Sequence, residues 1–123
     1  MNMRRRTEEL YFIMSPKFSP NVKLVVFVPL THADAVREAL AQAGAGTIGN
    51  YSGCSFSSKG TGRYKPENGA NPHIGKVGSF ESVEEERIEV LCARKDLKEI
   101  VAAMKAAHPY EEVAYDIYTL EEA

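Results

Sequence analysis

The sequence predicts an α+β fold, a ferredoxin-like βαββαβ sandwich with a long glycine-rich arm between the first helix and the third strand. Three observations predict it. Two stretches of helical periodicity each follow a strand-like run, giving two βα units in one short chain. The first run, "NVKLVVFVP", is apolar on both faces, as expected of a central strand covered from both sides. All nine glycines lie between residues 44 and 78, so one polar stretch holds the backbone freedom and the flanking units hold none.

The elements follow in order. "MNMRRRTEELYFIMSPKFSP" carries three arginines and an apolar piece, "LYFIM", too short for a secretory core; residues 1–20 read as a flexible extension, with Met14 as an alternative start. Residues 21–123 then form a single domain. In "NVKLVVFVP", Leu24, Val26 and Val28 face one way and Val25 and Phe27 the other. A second subunit is the simplest cover for the second face. "THADAVREALAQAGAG" reads as a helix capped by Thr31, with Asp34 in its first turn, Val36, Leu40 and Ala43 as the buried stripe, and Gly44 as a left-handed stop.

An extended piece is expected at "YSGCSFSS". "SVEEERIEVLCAR" alternates Ile88, Val90 and Cys92 against Arg87, Glu89 and Leu91, so Cys92 reads as core. "KDLKEIVAAMKAAH" places Leu97, Ile100, Val101 and Met104 at helical spacing and ends at His108 and Pro109. "EVAYDIYTL" alternates again and closes the sheet. Both helices fall on one sheet face, which leaves the other open and points to oligomerisation.

The totals set the outer limits. A chain of 123 residues has room for one core. A net charge of −2 gives no basic field for nucleic acid or an acidic membrane, and no apolar run approaches the length of a bilayer span. Two distant cysteines, Cys54 and Cys92, make neither a disulfide framework nor a zinc quartet, so a reducing, cytoplasmic setting is expected.

The glycine stretch is the segment most open to a functional reading. A phosphate loop needs glycines followed by Lys-Ser/Thr and a helix whose N-terminus meets the phosphate. "SSKGTGRY" has its lysine before the glycines and no helix after them, so the arm reads as a long hairpin anchored by Tyr51, Phe56, Tyr64 and Ile74. Arg63 and Lys65, beside Tyr64, suit an anion or an acidic edge of a neighbouring subunit. A divalent metal ion is a candidate cofactor, with His73, Cys54, His108 and Glu111 as candidate ligands, although no two of the histidines or cysteines stand at a short ligand spacing. "HPYEE" admits acid–base chemistry by His108 with Glu111 and Glu112. It also admits a purely structural role, in which histidine ends the helix, proline blocks its continuation and tyrosine packs.

Three segments, "KLVVFVP", the arm "GAGTIGNYSGCSFSSKGTGRYKPENGANPHIGKVG" and "HPYEEVAYDIY", resemble a domain of the GTP cyclohydrolase 1 type 2 family, also named for a yeast factor interacting with Ngg1p. The resemblance covers about residues 22–120. In longer bacterial members this domain is inserted between two metal-binding halves. It resembles in turn the trimeric PII signalling and CutA-type cation-tolerance proteins, which share its plan and a similar "HPYE" segment. The resemblance implies a stand-alone version of the accessory domain, assembled as a homotrimer. The family's dinuclear metal ligands lie in the halves, match no position here, and are not carried over.

The expected activity is therefore non-enzymatic: an oligomeric module that binds a small molecule or ion in clefts between subunits. Candidate ligand-binding residues are Asn50, Tyr51, Cys54, Arg63, Asn71, His73, His108, Glu111 and Glu112. The alternatives are a small metal-dependent hydrolase using His73 or His108 with Glu111 or Glu112, and a protein-interaction module.

Overall fold

The densest β-branched run of the chain becomes the middle of its sheet. In the computed structural model, which describes residues 17–123, β1 (Phe18–Pro29) pairs antiparallel with β3 (Glu81–Ala93) on one side and β4 (Tyr115–Glu121) on the other. β2 (Phe56–Tyr64) pairs antiparallel with the far side of β3, giving the order β2-β3-β1-β4. Helices α1 (Ala33–Gln42) and α2 (Leu97–Ala107) each follow a strand through one short 3-10 turn. This is the predicted ferredoxin-like α+β plan. Most of the expected flexible extension, and Met14, lie outside the described residues. Within them, β1 begins at Phe18, earlier than the expected Asn21, and its register against β4 shifts between Phe18 and Val22. Pro20, which has no N–H to give a ladder, sits in that shift.

The core lies between the sheet and the two helices. Val22, Leu24, Val26 and Val28 of β1 and Ile88, Val90 and Cys92 of β3 meet Val36 and Leu40 of α1 and Ile100 and Met104 of α2. Each fully buried aliphatic side chain of this kind contributes about 1.5–3 kcal/mol. Leu97 and Val101 pack on the edge of this cluster.

The opposite sheet face is covered in part within the chain. Val25 is fully buried there, and Arg87 lies over the Phe27 ring, 5.7 Å from its centroid. Arg87 also bonds Glu89, the register partner of Val25, at 3.1 Å. Stems of charged side chains thus roof part of the apolar surface within one chain. Phe56 and Tyr118, on the same face by register, remain exposed at 68% and 44%.

Three local expectations are corrected. Thr31 does not cap α1: its hydroxyl meets His32 Nδ1 at 2.8 Å, His32 occupies the cap position without a side-chain bond, and Asp34 pairs with Arg37. The extended piece starts at Phe56 instead of Tyr51, because an Ile48–Tyr51 bridge closes a turn and Gly49 and Gly53 adopt positive φ. The strand then runs through Gly60 and Gly62, which gain a ladder from β3. β4 starts at Tyr115, because residues 111–114 form the approach to β1, where Phe27 N–H donates to the Ala114 carbonyl.

The end of α1 is as predicted. Gly44, at φ +98°, donates to the Ala41 carbonyl and Ala45 donates to that of Leu40, the paired bonds of a Schellman stop.

Candidate functional site

The β2–β3 hairpin extends past the end of β1, whose pairing with β3 stops at Pro29↔Glu85. Its nine-pair ladder, Phe56↔Glu89 to Tyr64↔Glu81, opens into a loop over residues 65–80. That loop folds back toward the segment that follows α2. Tyr64 donates its hydroxyl proton to the Ile74 carbonyl at 2.6 Å, and Asn71 N–H donates to Glu111 Oε1 at 2.8 Å. Gly78 N–H closes the loop on the Pro66 carbonyl at 2.8 Å.

His108 fixes the other wall. The residue is buried, and its Nδ1 accepts from Tyr110 N–H at 3.1 Å. Since an amide can only donate, Nδ1 must be the bare nitrogen, and Nε2–H then donates to the Phe27 carbonyl at 2.7 Å. Burial holds this imidazole below its ordinary pKa, partly offset by the Phe27 carbonyl, with smaller lowering contributions from His32 and His73. His108 thus ends α2 as a neutral ring bonded on both sides.

Between these walls lies a cleft of about 760 Å³. Phe27, Tyr64, Pro66, Pro72, Tyr110 and Ala114 supply its apolar surface; Lys59, Arg63, Lys65, Glu85, Arg87, Glu111 and Glu112 supply its charge. Part of its floor is bare backbone. A Cβ at Gly62 would collide with the Glu85 carboxylate, so glycine there is what lets Glu85 lie across the strand. Burial raises the Glu85 pKa, opposed by Tyr110. The Tyr110 phenol is pushed well above its ordinary value, first by burial and then by the charge of Glu85 and by Tyr64. Its hydroxyl is buried beside those two groups but makes no hydrogen bond of good geometry. A half-apolar cleft with a half-buried acid and an unsatisfied phenol at its base can orient a small polar ligand.

The fold brings together only some of the candidate residues. Arg63, His73, Glu111 and Glu112 line the cleft. Asn71 reaches it through its backbone bond to Glu111, and His108 supports it from behind Tyr110, their rings 5.0 Å apart. Asn50, Tyr51 and Cys54 are elsewhere, in the loop between α1 and β2, where Gly46 N–H bonds the Leu91 carbonyl and Cys54 N–H bonds that of Gly46. Tyr51 and Phe56 anchor nothing, at 75% and 68% exposed, whereas Tyr64 and Ile74 do tie the arm. Among the described residues no group of three or more His, Cys, Asp and Glu side chains could hold a metal ion.

Sequence reasoning passed over Glu85, Tyr110 and His32. Glu85 is hidden inside an acidic run that reads as a solvated strand entrance. His32 meets His73, with ring centroids 5.6 Å apart, only because the loop returns to the β1–α1 turn.

No protein-family model matches the chain. Among curated proteins it is similar to the GTP cyclohydrolase 1 type 2 homolog of Halalkalibacterium halodurans, 62% identical over 98 residues, 80% of this chain and 26% of that protein. It is similar also to the homolog of the same name in Bacillus subtilis, 49% identical over 111 residues, 89% of this chain and 30% of that one. The chain thus spans between a quarter and a third of the length of these curated relatives. Among solved structures, a Bacillus cereus protein related to NIF3 superposes with TM-score 0.73 at 49% identity, over 89% of this chain and 27% of that one. The divalent cation tolerance protein CutA of Archaeoglobus fulgidus superposes with TM-score 0.61 at 16% identity, over 84% and 86% of the two chains, a likeness of fold alone. No helix among the described residues is long and apolar enough to cross a membrane.

Proposed function

We propose that this chain, similar over 80–89% of its length to part of the GTP cyclohydrolase 1 type 2 homologs, is a binding module and not itself a catalyst. It takes a small polar molecule or a metal ion in the cleft at the base of the β2–β3 hairpin. The observation that carries this reading is the cleft itself: about 760 Å³, walled by a hairpin loop and by residues 110–114, with Glu85 and the Tyr110 hydroxyl at its base. Mixed apolar and charged lining suits a ligand that is oriented by a few polar contacts.

Oligomerisation is part of the proposal. Phe56 and Tyr118 on the open sheet face and Phe80, 82% exposed beyond the loop, are large apolar side chains that a second and third copy would cover in a homotrimer. Clefts near the hairpins would then lie where copies meet. The cytoplasm, the setting expected of a chain with two distant unpaired cysteines, is the proposed location.

A hydrolytic role has less support. His108 spends both ring nitrogens on backbone groups, which leaves His73 with Glu111 or Glu112 as the remaining acid–base pair, and all three are exposed.

Native mass spectrometry of protein purified without added ligand tests the reading. A trimer is expected, with a retained small-molecule or metal adduct that is lost on Tyr110→Phe or Glu85→Ala substitution. A monomer free of any adduct, with no thermal stabilisation by small polar metabolites or divalent ions, would overturn it.

A further inference from the structure

The three histidines of the chain, at positions 32, 73 and 108, are far apart in sequence, and the fold links them in one series of ring contacts that runs through Tyr110. His73 and His108 both pack on Tyr110, with centroids 6.3 and 5.0 Å from it, and His32 packs on His73. Of the three, His108 is committed to the backbone at both nitrogens. His32 and His73 are not.

His32 sits half-buried in the turn between β1 and α1, with Thr31 Oγ1 2.8 Å from its Nδ1. With Nδ1 engaged by the hydroxyl, Nε2 is the nitrogen left open for ligation. His73 is exposed at the rim of the cleft and makes no side-chain hydrogen bond to a described residue. The two rings meet edge to face, at 87°, with centroids 5.6 Å apart. Two imidazoles sharing one tetrahedral ion, with metal–nitrogen bonds of about 2.0–2.1 Å, place their centroids about 5 to 5.5 Å apart. The observed 5.6 Å is close to that separation, and the exposed His73 ring is free of side-chain bonds to described residues that would fix its rotamer.

We propose that His32 and His73 are the two protein ligands of a zinc or copper(II) ion held at the rim of the cleft. This rests on the reading of the cleft as a binding site and names a class of ligand for it. Imidazole nitrogen suits both ions. With no third His, Cys, Asp or Glu grouped beside them among the described residues, the remaining positions are open to water or to a donor atom of a second ligand in the cleft. The ion ties the loop over residues 65–80 to the β1–α1 turn, which meet here through the two rings.

Isothermal titration of chelator-treated protein with zinc chloride and copper(II) chloride tests the site. One ion per chain is expected, with a rise in melting temperature. Affinity should fall at least tenfold in His32→Ala and in His73→Ala, and remain within about twofold in Lys76→Ala, a control on the same loop. The copper complex should give an electron paramagnetic resonance spectrum with hyperfine splitting from two imidazole nitrogens. Absence of saturable binding, or binding that His73→Ala leaves intact, overturns the proposal; His73 is exposed, so that variant tests ligation without disturbing the core. If a small molecule is still retained by His73→Ala in native mass spectrometry while no metal binds, the metal site fails and the cleft reading stands.

Discussion

The His108 imidazole donates to the Phe27 carbonyl at 2.7 Å, a bond that joins the end of α2 to the central strand across 81 positions of sequence. With the Tyr110 amide on its other nitrogen, the ring holds the wall of the cleft to the middle of the sheet.

This arrangement makes stability depend on pH. Burial lowers the His108 pKa below the value of 6.5 expected when the chain is unfolded. As pH falls, the unfolded chain takes up the proton first, so the contribution is complete above pH 6.5 and is lost as pH drops through that value toward the folded one. Chemical denaturation at pH 7.5 and pH 5.5 should show lower stability at the acid end. In His108→Gln the part of this slope due to the imidazole should vanish, while stability at pH 7.5 falls by about 1–3 kcal/mol from the bonds lost.

Arg37 of α1 reaches Glu86 of β3 at 2.6 Å and Ser57 of β2 at 3.1 Å, so one guanidinium links a helix to two strands. Both members of the ion pair are largely shielded, at 28% and 15% side-chain exposure. Arg37→Ala should cost about 1–2 kcal/mol in urea denaturation. A double-mutant cycle with Glu86→Gln should return a coupling above the range of exposed surface pairs, about 0.2–1 kcal/mol. A coupling near zero would mean that the pair is decorative.

The two thiols should behave oppositely. Cys92 is buried in the core and desolvation pushes its pKa up to about 11, whereas Cys54 is partly accessible in the loop between α1 and β2. Ellman's reagent at pH 8 should label one thiol per chain in the native state and the second only on unfolding. Rapid labelling of both in native protein would contradict the placement of Cys92.

Gly46 is the glycine whose replacement should be felt most. It has φ +82°, and a Cβ there would collide with the Cys54 backbone. Gly46→Ala should destabilise by more than about 1 kcal/mol, read as a fall in melting temperature. Gly69, with φ +95° and open space around it, should lose less on the same change.

Period and punctuation made most of the frame legible. The alternation of Ile88, Val90 and Cys92, the helical stripe through Ile100 and Met104, and the Gly44 stop each report a local rule that packing then obeys. The start of β2 was not legible, because Gly60 and Gly62 form strand only by pairing with β3, a partner more than twenty residues away. The site was readable by halves. Glu111 and His73 declare themselves by type, whereas His32, Glu85 and Tyr110 become functional candidates only through the return of a long loop. Asn50, Tyr51 and Cys54 were singled out for lying in the glycine stretch, and the stretch turns out to be two loops divided by a strand.

Among the described residues β2 and β4 are the edges of the sheet, and they differ in sign: β2 presents Lys59 and Arg63, β4 presents Asp116 and Glu121, all four exposed. Like edges of two copies repel, and unlike edges attract. Growth by strand pairing is therefore steered head to tail, away from a symmetric edge-to-edge dimer, and a head-to-tail contact must either close on itself as a ring or run on as a filament. Neutralising Lys59 and Arg63 would remove that steering and leave two β2 edges free to pair with each other.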